Sequence, residues 1–529
     1  MNTQTGHPRP RLSVALIVRN EQDVLGETLD SVWPIADEIL VLDTGSTDRT
    51  LSVAAQWGAG VLRAPWDQSF AAARNRLLSE VRGDWILWLD AGERLDAKSA
   101  TDLRQFIDRE ADSQRLYLLL VEVPGADPAA SSEQAARARL MPNNPRLRFE
   151  GRVGESVRAS AQAVGLRVEQ APGRILCLAR RNNPQRKTDK AVRDLKLIAL
   201  ERAERGELTP RLWITLGEAY GTLNQPIFAE QAFLQAVRTA PRGSTEMLEG
   251  YYGLLTTLAA DPTQRERQIM ACVEALEIYP LDAQLLCAMG GYLQAQGRLD
   301  LAERSFRTAV QYGQVDLETW HLVEIAEVAA ACLGMTLQLQ GKEDEARGVL
   351  EKALDRARGS LRIRRQLLDL NIRQGREDHA IRLAGQLYAN ADDGSAIADA
   401  VRGACKAAKQ DWVPALALLQ SAYLAGCRDP LCLRWLSVAL LSNGQIEAAG
   451  PVVRQWHEME PDNHEAQAYL KAAGDATKQA EAGQAAPASE PGRARRLRFD
   501  HAATSAEVIV TRAPIVSQQS TLDAGPHSR

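Results

Sequence analysis

The chain has 529 residues, 45% of them hydrophobic and 25% charged, with a formal net charge of -5. That length exceeds one ordinary hydrophobic core and predicts roughly three or four domain-sized units of at least two unlike kinds. The balanced charge gives no global field favouring nucleic acid or anionic lipid, so no nucleic-acid partner is expected.

Seven cysteines (Cys177, Cys272, Cys287, Cys332, Cys405, Cys427 and Cys432) are scattered and odd in number. They fit reduced core thiols better than a disulfide framework, which predicts a cytoplasmic protein, at most peripheral at the inner membrane face. Residues 1–11 read as a flexible, polar start without a signal peptide, and no segment reaches the roughly 18 apolar residues of a spanning helix.

From residue 12 short apolar runs alternate with amphipathic stretches, the pattern of an α/β domain with a largely parallel sheet. Residues 12–18 (LSVALIV) read as a buried first strand, and Asn20 as the cap of a helix over 21–33 that ends before Pro34. EILVLD at 38–43 is the second strand, followed by a turn at Thr44, Gly45 and Ser46 and a helix to about residue 55. Residues 61–63, 71–81 and 85–89 continue as strand, helix and strand; 98–111 is a further helix and 116–123 a further strand. Residues 124–180, rich in Pro, Gly, Arg and Asn, read as loops and short strands completing a domain over 12–186.

A connecting helix is expected over 187–208, with Val192, Leu195, Leu197, Ile198 and Leu200 apolar, docking the domain onto a helical region that begins at residue 209. From there the pattern is helical alone. Trp213, Leu216, Gly217, Tyr220, Ala229, Phe233, Ala236 and Pro241 have the spacing of a tetratricopeptide repeat, whose small residues let two helices cross closely. Ala302, Ala346, Ala380, Ala415 and Ala448 mark later repeats at intervals of 44, 34, 35 and 33 residues. A large apolar residue is expected four positions after each marker, which Phe306, Leu350, Leu419 and Val452 supply, while Ala384 departs. About seven repeats over 209–472 are predicted, then a disordered tail over 473–529 with a basic knot, RARRLR.

Two carboxylate motifs come directly after strands, at the sheet edge where α/β proteins bind ligands. DTGSTD at 43–48 offers Asp43 and Asp48 to a nucleoside, although local capping of the turn would use the same residues. WILWLDAGERL at 85–95 offers Asp90 and Glu93 as paired oxygen ligands for a hard divalent cation bound with a sugar nucleotide diphosphate.

The stretches ALIVRNEQDVLGETLDSV (15–32), ILVLDTGSTDRT (39–50) and SFAAARNRLLSEVRGDWILWLDAGERL (69–95) resemble inverting family-two glycosyltransferases of the GT-A fold. The likeness is to the branch with lipopolysaccharide-core glucosyltransferases and peptide S-glycosyltransferases, and RFEGRVGES (148–156) resembles a late acceptor-side segment of that family. The resemblance implies that Asp43, with Asn20, Glu21 and Asp48, serves the nucleotide, and that Arg74 and Asn75 orient the donor. It further implies that Asp90 holds metal and diphosphate, with Glu93 beside it, and that Glu155 is the general base.

Three positions depart from the family pattern. Gly92 stands where a second acidic residue is usual, Gly154 where a His is common, and residues 174–181 (RILCLARR) lack a further His. Either Mg²⁺ or Mn²⁺ is held by fewer ligands, or Arg180, Arg181 and Lys187 stabilise the diphosphate, or catalysis is lost. Two functions are compatible with these residues. One is transfer from a nucleotide sugar, UDP favoured, to a saccharide or peptide acceptor, with the repeats binding acceptor or a protein partner. The other is a catalytically degenerate domain within a repeat scaffold.

Overall fold

Apolar strands and amphipathic helices alternate through the first part of the computed structural model, which describes residues 9–125, 131–178, 183–388, 394–461, 463 and 465–471. The elements run β1 (Leu12–Val18), α1 (Leu25–Val32), β2 (Glu38–Asp43), α2 (Thr50–Gln56), β3 (Gly60–Arg63), α3 (Phe70–Leu78), β4 (Trp85–Trp88), β5 (Glu93–Leu95) and α4 (Ala97–Arg109). Then come β6 (Arg115–Val123), β7 (Glu133–Pro142), α5 (Arg158–Ala163), β8 (Arg167–Cys177) and α6 (Pro184–Arg205).

The strands form one sheet in the order β3-β2-β1-β4-β7-β6-β8-β5. β1 to β4 are mutually parallel, whereas β7 runs antiparallel to both β4 and β6, so the sheet is mixed rather than largely parallel. Successive residues of β1 face opposite sides. Leu12, Val14, Leu16 and Val18 pack with Leu25, Leu29, Leu103 and Ile107 of α1 and α4, while Ala15 joins Leu42, Trp88 and Leu77 on the other side. Helices therefore cover both faces, and the carboxyl ends of β1, β2 and β4 open along one edge.

Two expectations are corrected here. Residues 124–180 contain two long strands, β7 and β8, of 10 and 11 residues. Asn20 caps no helix: it adopts a left-handed φ of 55°, α1 starts only at Leu25, and the Asn20 side chain instead accepts from the Thr47 N–H. In the connecting helix α6, Leu197 and Ile198 are buried, but Val192 is 55% exposed, and the polar Asp194 and Glu201 take inward positions beside Ala191.

Helices alone make up the next stretch: α7 (Pro210–Thr222), α8 (Pro226–Thr239), α9 (Thr245–Ala259), α10 (Arg265–Ile278), α11 (Ala283–Ala295) and α12 (Leu299–Tyr312). Further helices run from Ile325–Leu339 to Ile446–Met459. The described residues divide into two compact units, one of 9–292 with Tyr312–Ile325, the other of Leu293–Gln311 with the residues from Ala326 onward. The sheet, α6 and the first repeat thus share a unit.

In the second unit Ala302, Ala346, Ala380, Ala384 and Ala415 are fully buried, as are Phe306, Leu350 and Leu419. The last marker is corrected by one residue: Ala448 is exposed, whereas Ala449 is buried, and the expected Val452 is buried with it. The irregular interval of 44 has a physical cause in the first unit. Residues between α12 and the next helix leave the repeat pattern, and His321–Leu322 pair as β9 with Gln134 and Glu133 of β7.

Among the described residues no helix is long and apolar enough to cross a membrane. Six of the seven cysteines are buried, and Cys177 is half-buried.

The first repeat shows why its small residues are required. A Cβ on Gly217 of α7 would lie 2.7 Å from the buried Phe233 ring, and one on Gly253 of α9 only 2.3 Å from it. Gly253→Ala is therefore expected to overpack this crossing and destabilise the first unit by about 1–3 kcal/mol. Denaturant unfolding checks this, and an unchanged midpoint would refute the crowding.

Candidate active site

Parallel pairing sets Val18 of β1 opposite Asp43 of β2, which brings the loops after both strands together. They are laced by hydrogen bonds. Asn20 N donates to Ser46 Oγ at 2.9 Å, Glu21 N to Thr50 Oγ1 at 2.8 Å, and Gln22 N to Asp48 Oδ2 at 3.3 Å. Asp43, buried, accepts from the Ser46 N–H at 3.1 Å and the Gly45 N–H at 3.3 Å. Against the upward push of burial, the Thr50 hydroxyl and the amides of Thr50 and Gln22 hold the Asp48 carboxyl below its ordinary value. Glu21 pairs with Arg186 of α6 at 2.7 Å.

β4 runs out at Trp88, two residues before Asp90. Ser69 caps α3 by accepting from Ala72 N, and this helix projects Arg74 toward the same edge. Arg74 Nε donates to Glu155 Oε1 at 2.7 Å, and Arg74 Nη2 to Asp90 Oδ1 at 3.3 Å. Its guanidinium lies 4.9 Å from the Trp88 ring centroid and 5.3 Å from that of Phe149. Burial opposes the charge, but Glu155 and Asp90 outweigh it and raise the Arg74 pKa above the ordinary guanidinium value.

Arg139 of β7, which sequence reasoning missed, completes the cluster. β7 places Leu140 opposite Leu87, so Arg139 lies at the end of β4. Its Nη2 donates to Glu93 Oε1 at 2.6 Å and to Asp90 Oδ2 at 3.4 Å. Glu93, 2% exposed, also accepts from the Asp90 N–H at 2.9 Å. Its carboxylate thus braces Asp90 from behind, while the Asp90 side chain remains 35% exposed. The alternation ARAR at 136–139 was the available signal for Arg139. Asn75 uses both ends of its amide on the Phe149 backbone, at 2.8 Å each, and so fixes the segment leading to Glu155.

The departures from the family pattern have local causes. Gly92 has a φ of 88°, a left-handed conformation that disfavours an acidic side chain there, and its N–H donates to Thr28 Oγ1 at 2.9 Å. Gly154, with φ of 61°, lies under the stem of Arg211 from α7, 3.4 Å from where a Cβ would stand. Arg180 and Arg181 lie outside the described residues. Lys187 acts on Glu133, whose carboxyl burial pushes up to about 8 against the Lys187 charge.

Among the described residues no three His, Cys, Asp or Glu side chains converge as a metal cage. Yet Asp90, Glu93 and Glu155 set against Arg74 and Arg139 leave the cluster one net negative charge. A diphosphate approaching it needs added positive charge. The donor set fits a divalent cation bound by the exposed carboxylate of Asp90 together with oxygens of the diphosphate itself.

Residues 13–140 match the family model described as Glycosyl transferase family 2. The chain is 37% identical over 145 residues to a TPR repeat-containing protein of Synechococcus elongatus, covering 27% of this chain and 35% of that one. It is 35% identical over 97 residues to an uncharacterized glycosyltransferase of Rickettsia felis, covering 18% and 34% respectively. The chain thus spans about a third of the length of these relatives. Among solved structures it is similar to glucosyl-3-phosphoglycerate synthase from Mycobacterium tuberculosis in complex with Mn²⁺, UDP and glucosyl-3-phosphoglycerate. That similarity has 25% identity, covers 22% of this chain and 43% of that one, and has a TM-score of 0.19.

Removing Arg139 would take from the buried Glu93 carboxylate the cation 2.6 Å away. Arg139→Met is expected to destabilise the first unit by about 3–5 kcal/mol, and adding Glu93→Gln to recover most of that loss. Denaturant unfolding of both variants is the measurement, and a double variant no better than the single one would refute the pairing.

Proposed function

We propose, for a chain that carries a family-two glycosyltransferase domain joined to tetratricopeptide repeats, that it moves a sugar from a nucleotide diphosphate donor, UDP favoured, to a hydroxyl-bearing saccharide or protein acceptor. The observation that carries this reading is the single guanidinium of Arg74 joining Asp90, after β4, to Glu155, far along the chain. It brings a diphosphate-side carboxylate and an acceptor-side carboxylate into one site at the ligand edge of the sheet.

The roles derive from charge development. The acceptor oxygen attacks the anomeric carbon on the face opposite the diphosphate and inverts it, while the bond to the β-phosphate oxygen breaks. Glu155 takes the acceptor proton on the carboxylate oxygen that Arg74 does not hold. Asp90 would hold a Mg²⁺ or Mn²⁺ ion, which when bound neutralises charge on the departing diphosphate. Glu93 and Arg139 keep Asp90 in place. The laced loops of Asn20, Glu21, Asp43 and Asp48 form the nucleoside side, where Asp43 exchanges a turn hydrogen bond for one to the base or ribose. The repeats bind the acceptor or a protein partner.

Asp90→Ala is expected to lower sugar transfer about 100-fold or more while leaving the fold intact. A panel of UDP-sugars with Mn²⁺ or Mg²⁺, read by released nucleotide, measures this. Full turnover by the variant would remove Asp90 from the chemistry, and absence of UDP binding by the unaltered protein would favour the scaffold reading. Asp43→Ala should weaken UDP binding about tenfold, the loss of roughly one hydrogen bond to a buried polar group. Calorimetry with UDP decides whether DTGSTD is more than a turn.

A further inference from the structure

The segment carrying Glu155 is short and makes little regular structure of its own. Glu150 and Ser156 exchange backbone hydrogen bonds at 3.0 Å, and the start of α3 donates from Phe70 N to Arg152 O at 2.9 Å. Arg74 and Asn75 of α3 also hold it, and a further set of attachments comes from the helical part of the first unit. Arg152 N donates to Glu201 Oε2 of α6 at 2.6 Å, and the Arg152 guanidinium pairs with Glu204 of the same helix. Val153 is buried among Leu197, Ile198, Leu208 and Leu212. Gly154 lies under Arg211 of α7, whose guanidinium is held by Glu249 of α9. Arg158 pairs with Glu318, in the stretch that breaks the repeat period and pairs with β7. Glu318 also receives Arg137 on its carbonyl, and Arg137 stacks 5.0 Å from the Trp320 centroid.

We infer that the helical part of this unit holds the loop that carries Glu155, with Arg211 and Glu318 as positioning residues for the transfer reaction. The inference rests on the reading of Glu155 as base, but the loop attachment is measurable apart from it. A family-two domain needs its acceptor-side carboxylate at a fixed distance from the anomeric carbon, and a displacement of about 1 Å can cost about 100-fold in rate. Here α6, α7 and the period-breaking stretch add to the hold of Arg74 and Asn75 in fixing that distance. The nucleoside loops are tied to one another, to β1 and β2, and to Arg186 near the start of α6, rather than to Arg211 or Glu318.

The test uses the full chain with Arg211→Ala, Glu318→Ala and the conservative Arg211→Lys, which keeps the stem over Gly154. Amide exchange over residues 150–158 is expected to quicken about tenfold or more in the two alanine variants, with UDP affinity within about twofold of the unaltered protein. Turnover should fall about tenfold at unchanged KM for the donor, and Arg211→Lys should restore most of it. Unchanged exchange over 150–158 would overturn the inference, as would loss of UDP affinity in step with loop protection. Faster exchange with full turnover would uphold the attachment and remove Glu155 as the base.

Discussion

The buried guanidinium of Arg74 is the constraint on which the rest of the site depends. It bonds Glu155 and Asp90 while lying between Trp88 and Phe149, so each partner fixes one part of its orientation. A cation so placed is held only where carboxylates compensate its lost hydration, and losing one partner of a buried pair typically costs about 3–5 kcal/mol. The pairing therefore specifies that α3, the end of β4 and the 148–156 segment meet at one point. Asn75, next in sequence, adds two hydrogen bonds to Phe149 and turns the meeting point into a rigid junction.

The charge count around this junction has a functional consequence. Arg74 and Arg139 do not offset three carboxylates, so the site without ligand is weakly anionic, and Asp90 is its exposed member. Glu93 and Arg139 form a buried pair behind Asp90 and so carry the cost of orienting it before any ligand arrives. In the proposed reaction such preorganisation would suit a diphosphate, which brings oxygen donors of its own. The left-handed Gly92 fits this arrangement: the turn that precedes the inward Glu93 disfavours a second acidic side chain at 92.

Much of the fold was legible because β1, β2 and β4 are covered on both faces and so read as continuous apolar runs. β7 was not legible as a strand. It carries Arg137 and Arg139, half-buried, whose charges meet carboxylates from distant elements, and composition alone reads such a segment as a loop. Asp43 and Asp90 could be placed at the edge of a sheet from sequence, and Arg74 and Glu155 were named through the family resemblance, but the pairing of Arg74 with Glu155 could not be read, since it joins residues 81 positions apart. Asn20 misled for a related reason. Its side chain satisfies the Thr47 N–H across the gap between two loops, a tertiary use of a residue type that locally reads as a helix cap. In the repeats the period was plain, and a buried alanine follows each left-handed turn at Gly297, Gly341, Gly375, Gln410 and Gly444 by five residues, so the last marker is Ala449 and not Ala448.

A regular helical array makes contacts only between successive repeats, and its stability is a sum of such local terms. This chain departs from that rule where the interval lengthens to 44 residues. The added residues do not form a loose loop: Val323 N donates to Ser132 O at 2.9 Å, His321 and Leu322 pair with β7, and Gln284 of α11 accepts from Leu322 N at 3.0 Å. One side of the stretch is thus bonded to β7 of the sheet and the other to the helical array. β7 also carries Arg139, so the same strand is held by the array at one end and by the carboxylate cluster at the other. The sheet domain and the first repeat are consequently a single structural unit whose shared element is the strand beside the site.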